Sequence, residues 1–157
     1  MIKIGIDPSG SGTTAIVMFK NGKLMDKYII NDKNWIHHFQ HIQGYIKDND
    51  LIEKNTLFQV FVEDCLYTSA AASKDRDSLL RLCGVIEYNL NVKMVSPKYT
   101  KSIIKNMENL SKYNDGCIQG FSKDNNLTYE YGKGWKYNNE KISNHLRDAI
   151  IIANYKG

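Results

Sequence analysis

Apolar positions over the first thirty residues alternate with polar ones or form short runs, the pattern of strands and not of helices. Residues 2–7, Ile-Lys-Ile-Gly-Ile-Asp, predict a buried strand, and residues 13–20 a second that returns after a small-residue turn. Asn21-Gly22 signals a hairpin into a third strand over 23–30, which makes an antiparallel meander. From Asn34 to Lys47 the period changes, with Trp35, Ile36, Phe39, Ile42 and Ile46 at helical spacing. Residues 57–63 read as a fourth strand. A helix over 74–89 follows, with Leu79, Leu80, Leu82, Cys83 and Ile86 directed to a core, and then a short fifth strand over 91–95. Ser96-Pro97 marks a helix start, a capping hydroxyl before a residue whose missing amide hydrogen costs nothing in a first turn, so residues 98–107 predict a third helix. Between Ser111 and Asn139 no period holds. Ser143 or Asn144 then caps a last helix that buries Leu146, Ala149, Ile150, Ile152 and Ala153. This order predicts an α/β layer structure whose mixed five-stranded sheet combines the meander with two parallel strands, flanked by helices.

A chain of 157 residues fits one domain spanning 1–157, long enough for an autonomous core. With 42% hydrophobic and 24% charged residues, it falls with soluble globular proteins and not with disordered ones. The net charge of +4 is unevenly spread: residues 91–141 carry nine lysines against five acids, and residues 1–90 ten basic side chains against eleven acidic. An acidic first half beside a basic later half suits an enzyme acting on a polyanion, although solvated lysines give the same count. Cys65, Cys83 and Cys117 are odd in number and lack metal-binding spacing, which fits a reducing cytoplasm better than a disulfide framework. No apolar run is long enough to span a bilayer and no leader pattern precedes the first strand, so the expectation is a soluble cytoplasmic protein without membrane association.

The chemistry concentrates in four residues. Asp7 ends the first strand and runs into the turn Pro8-Ser9-Gly10-Ser11-Gly12; Glu63 ends another apolar strand; His145 and Asp148, three apart on a helix, project from one face. Metal-assisted phosphodiester hydrolysis needs such oxygen and nitrogen ligands to converge on two ions roughly 4 Å apart. Asp7, at the centre of the sheet, is the natural bridge between them. Carboxylates gathered without a cation repel one another, so the metal is part of the reading. Plainer roles exist for each: Asp7 as a turn former before Pro8, His145 as a first-turn residue, Asp148 as a complement to the helix dipole. Strand alternation lets only one of Glu63 and Asp64 face the site and by itself leaves both open. Arg147 is expected to point away, toward solvent or DNA. His37 and His41 have the spacing of a helical metal pair, but with His38 beside them and no carboxylate partner they read as a solvated face. Asp75 and Asp77 serve a helix start.

Ile4-Gly5-Ile6-Asp7-Pro8-Ser9, Val62-Glu63 and His145-Leu146-Arg147-Asp148-Ala149 together resemble the RuvC family of Holliday-junction resolvases, within the RNase H-like superfamily, over nearly the whole chain. The family's four metal-binding positions map onto Asp7, Glu63, His145 and Asp148, the third being Asp in some members and His in others; the resemblance thus favours Glu63 over Asp64, which is left to the loop. The resemblance implies an RNase H-like fold and an endodeoxyribonuclease using two Mg²⁺ or Mn²⁺ ions. It also implies a usual homodimer that nicks four-way junctions symmetrically in DNA recombination and repair, leaving 5′-phosphate ends. Asp7 would bridge the ions, Glu63 would hold one, and Asp148 with His145 the other. Lys98, Lys101 and Lys105 share a helix face as phosphate contacts, and Tyr67 is placed to stack on an unpaired base, as an aromatic in this loop does in similar enzymes.

Residues 111–139 depart from the family pattern. There Tyr129, Tyr131, Trp135 and Tyr137 interleave with Lys133, Lys136 and Lys141, which either binds nucleic acid by stacking and charge or forms a core patch under a long loop. Two other classes compete. Gly5-Ile6-Asp7 followed by Ser11-Gly12-Thr13-Thr14 resembles the first phosphate loop of actin-like and sugar-kinase proteins, against which stand the missing second Asp-Gly loop and the lack of room for a second domain. A non-catalytic branched-DNA-binding module would keep the fold without the reaction.

Overall fold

A computed structural model describes residues 1–49, 57–65, 74–110 and 115–157. Strands β1 (Ile2–Asp7), β2 (Thr13–Lys20) and β3 (Lys23–Asn31) form the expected meander. The Asn21-Gly22 turn places both residues at positive φ, 51° and 79°, as this hairpin type requires. Helix α1 (Trp35–Asp48) is capped by Asn34, whose side chain accepts from the Ile36 amide, and leads toward β4 (Phe58–Glu63). Then come α2 (Lys74–Asn89), β5 (Lys93–Val95) and α3 (Pro97–Met107), the last capped by Ser96 with Pro97 at its start. Helix α4 (Asn144–Ala153) begins at a cap formed by Ser143, which accepts from the Leu146 amide. The sheet order is β3-β2-β1-β4-β5, with β1 antiparallel to β2 and parallel to β4, and β4 parallel to β5. The five-stranded mixed sheet is the one expected from the sequence.

Side-chain alternation divides the interior in two. Ile2, Ile4 and Ile6 of β1, Ile16 and Met18 of β2, and Val60 and Val62 of β4 face α1 and α2, where they pack on Ile42, Ile46, Leu82 and Ile86. Ala15, Val17, Phe19 and Phe61 face the other way, onto α4 and the segment before it. Asp7 and Glu63 share the parity of Gly5 and Phe61, so the pleat delivers both acids to the side covered by α4. Gly5 permits that cover: a Cβ there would lie 2.1 Å from the Ala149 carbonyl oxygen and 2.6 Å from the Ala153 nitrogen. Ile36 and Leu80, expected to face the core, are exposed instead, because each lies well round its helix from the buried stripe.

The stretch without a period contains real structure. A 3-10 helix (Asp115–Gly120) is followed by a separate antiparallel sheet of β6 (Leu127–Glu130), β7 (Gly134–Tyr137) and β8 (Glu140–Lys141). Asn138 and Asn139, both at positive φ, form the tight β7–β8 turn. Leu127, Trp135, Tyr137 and Ile142 are buried in the α4-side core, so two of the aromatics supply packing and not a stacking surface, while Tyr131 is exposed. Lys133 and Lys136 both pair with Glu130, at 2.7 and 3.8 Å. Among the described residues, no helix is long and apolar enough to cross a membrane.

Candidate metal centre

Strand register sets the first two ligands side by side. Ile6 pairs with Val62, and one residue further each strand ends in an acid, Asp7 and Glu63. Helix α4, lying on β1 at Gly5, brings Asp148 over them in its second turn. One ligand oxygen from each of Asp7, Glu63 and Asp148 lies within 4.8 Å of the other two. Among the described residues this is the one group of three or more acidic, histidine or cysteine side chains placed to hold a metal ion. His145 stands at its rim, half-exposed, with Nδ1 2.9 Å from Asp7 Oδ2.

The electrostatics are those of acids that are partly buried and crowded together. Burial, then the Asp7 carboxylate, push the Glu63 carboxyl up to about 8. Burial also raises Asp148, with Arg147 pulling the other way, and the hydrogen bond to Asp7 raises His145. Thr100, fully buried on α3, carries a hydroxyl without a full hydrogen-bond partner among the described residues; it lies toward Glu63 and favours its charged form. Three hard oxygen donors on crowded, partly buried carboxyl groups fit a magnesium-type cation.

These shifts predict a stability profile. The unfolded chain loses the Glu63 proton near its ordinary value of 4.5, whereas the folded, cation-free protein keeps it to about 8. Between those values the folded state binds more protons, so stability falls as pH rises; the raised Asp148 and His145 act with the same sign. Glu63→Gln is therefore expected to flatten the decline and raise the cation-free melting temperature at pH 8 by several degrees, the effect of about 1–2 kcal/mol in a chain of this size. Thermal unfolding in chelator at pH 5 and pH 8 checks it, and an unchanged slope refutes it.

The cleft around the acids is lined by Pro8, Ser9, Gly10 and Ser11, by Asp64, Cys65, Asp75 and Arg76, and by Leu79, Pro97 and Lys101. Lys101 thus borders the acids; Lys98 is exposed on the same helix, and Lys105 is half-buried and paired with Glu108 at 3.6 Å. Tyr67 lies outside the described residues. Asp64 accepts from the Cys65 amide at 2.8 Å, in keeping with its loop assignment. Gly10 seats the first loop against α2, where a Cβ would meet the Leu79 nitrogen at 2.4 Å. That loop's hydroxyls are engaged internally: Ser11 donates to Asp75 at 2.7 Å, Thr13 to Asn31 at 2.7 Å, and Thr14 bonds His38 at 2.8 Å. Ser11, Thr13 and Thr14 are therefore not offered to a nucleotide phosphate.

Three side chains stand otherwise than the sequence reading placed them. His38 is completely buried, not solvated: Nε2 must donate to the Asp32 carbonyl at 2.8 Å, so Nδ1 accepts from the Thr14 hydroxyl, which in turn accepts from the Ser9 amide at 2.9 Å. His37 has a carboxylate partner, Asp32, at 3.0 Å. Arg147 does not point to solvent; its Nε donates to Asp148 Oδ1 at 2.6 Å. Arg76 and Thr100 were not singled out from the sequence, where an arginine opening a helix and a threonine within one carry no distinguishing signal.

No family model matches the sequence, and no curated protein matches it. Comparison with solved structures is informative. T. thermophilus RuvC in complex with a Holliday junction substrate superposes with a TM-score of 0.56 at 15% identity, covering 98% of this chain and 90% of that one. The fold is the RuvC RNase H-like fold. A second Thermus thermophilus RuvC structure gives a TM-score of 0.50 at 16% identity, covering 98% and 91%. The RuvC likeness extends over the meander, the parallel strands and the last helix alike, since nearly all of both chains is included.

Proposed function

We propose that this chain is a single-domain, metal-dependent endonuclease that resolves four-way DNA junctions, acting as a homodimer on branched DNA. The observation that carries the reading is the convergence of Asp7, Glu63 and Asp148 from three separate elements of a RuvC-like fold. A structural relative that is described with a Holliday junction supports the substrate class. Asp7, Glu63, Asp148 and His145 would hold two Mg²⁺ or Mn²⁺ ions. When bound, the ions supply activation of water and neutralisation of charge on the leaving oxygen. The protein's own contributions are distinct. Asp7 holds the Nδ1 proton of His145, which orients the ring and leaves Nε2 as the nitrogen that would face an ion. Lys101 and Arg76, which both line the cleft, would hold the phosphates flanking the scissile bond, and Lys98 would extend the contact along α3. Hydrolysis breaks the P–O3′ bond and leaves a 5′-phosphate and a 3′-hydroxyl.

A synthetic four-way junction, a linear duplex and a DNA/RNA hybrid, each incubated with and without Mg²⁺, test this. Paired nicks in the junction alone, dependent on Mg²⁺, are the expected result. Cutting of the hybrid alone makes the protein a ribonuclease H, and tight junction binding without cutting makes it a non-catalytic module.

A further inference from the structure

The guanidinium of Arg147 is held on three sides. Nε donates to Asp148 Oδ1 at 2.6 Å, Nη1 donates to Asn144 Oδ1 at 3.2 Å, and its central carbon stands 5.1 Å from the centroid of the Trp135 ring. Only 12% of the Arg147 side chain is exposed. Trp135 is itself fixed, 5% exposed in β7 and packed on its cross-strand partner Tyr129 with ring centroids 5.1 Å apart. An ion pair between mobile surface groups contributes little. A planar guanidinium already oriented by an aromatic face is different, because little freedom remains to be lost when it engages a carboxylate.

We infer that Arg147, held by Trp135 of the small sheet, is a positioning residue that commits one oxygen of Asp148 and thereby orients the other toward a divalent cation. The inference rests on the metal-centre reading above. It gives the β6-β7-β8 sheet a role at the site, since Trp135 connects that sheet to a ligand on α4. A contrary role for Arg147 carries the opposite sign. As a mere positive charge beside the site it would repel a cation, and its removal would tighten ion binding; as a positioning group, its removal loosens binding.

Mn²⁺ titrated calorimetrically into the DNA-free protein separates the two. Arg147→Met is expected to weaken Mn²⁺ affinity by about tenfold or more, the usual consequence of losing a group that orients a ligand. Arg147→Lys is expected to recover part of the loss. Trp135→Leu leaves every charge in place and is expected to weaken binding in the same direction; thermal unfolding establishes that each variant is folded, and if Trp135→Leu is not, the Met and Lys variants decide. Unchanged or tighter Mn²⁺ binding by folded Arg147→Met overturns the inference and leaves the metal centre standing. No Mn²⁺ binding by the wild-type protein overturns both.

Discussion

Asp7→Asn is expected to abolish junction cleavage while leaving the fold and junction binding intact. Asp7 is 7% exposed, at the end of the central strand, and lies within reach of both other acids and of His145. Asparagine keeps the shape and an oxygen for the His145 Nδ1 proton, but removes the charge that a cation needs. It also removes the repulsion that helps raise Glu63, so the variant should melt no lower than wild type in chelator. The loss in single-turnover rate is expected to be at least about a thousandfold, or ~4 kcal/mol in the barrier. Gel-shift titration without divalent ions should give junction affinity within a few fold of wild type. Cleavage that survives the substitution rules out Asp7 as the central ligand.

The second large effect concerns room and not charge. Gly5→Ala places a methyl group against the backbone of α4 at distances no packed atoms tolerate, so helix and strand must separate. Overpacking of this kind costs about 1–3 kcal/mol, and here the obstructing atoms are main chain, which puts the change at the upper end. The expected fall in melting temperature is roughly 5–10 °C. Because the displaced helix carries His145 and Asp148, cleavage should fall further than the loss of folded protein explains. Comparing activity per folded molecule well below the transition with that of wild type checks this, and equal specific activity would show that α4 returns to its place.

What could be read from the residues follows from how local the signals are. The meander, α1, β4, α2, β5, α3 and α4 were legible because each is a run with one clear period, punctuated by Asn-Gly, Ser-Pro or a capping serine. The strand-end positions of Asp7 and Glu63 and the three-residue spacing in α4 suggested that the acids converge, while the choice of Glu63 over Asp64 needed the RuvC resemblance, since alternation alone allows either. The small sheet was not legible: its strands are two to four residues long, too short to establish an alternation, and its turns use Asn and Gly that resemble an unstructured linker. Trp135 was ambiguous for the same reason, since the groups that bury it, the α4-side core and Arg147, lie in segments distant from its own short strand. A helical wheel sends Arg147 about 100° away from Asp148, yet its long side chain folds back to its neighbour. His38 looked polar within a histidine-rich helix because the groups that satisfy it, the Thr14 hydroxyl and the Asp32 carbonyl, are supplied by the middle strand of the meander and the turn after its last strand.

The two interiors on either side of the sheet are not independent. Histidine 38 belongs to the layer of α1, and through a single threonine hydroxyl it anchors the Ser9 amide at the lip of the acidic cleft. One imidazole therefore works as a latch between α1 and the cleft loop, beside the contacts that α2 makes to the same loop through Asp75 and Leu79. Drift in the packing of α1 is expected to reach the rim where substrate would enter, although neither His38 nor Thr14 lines the cleft.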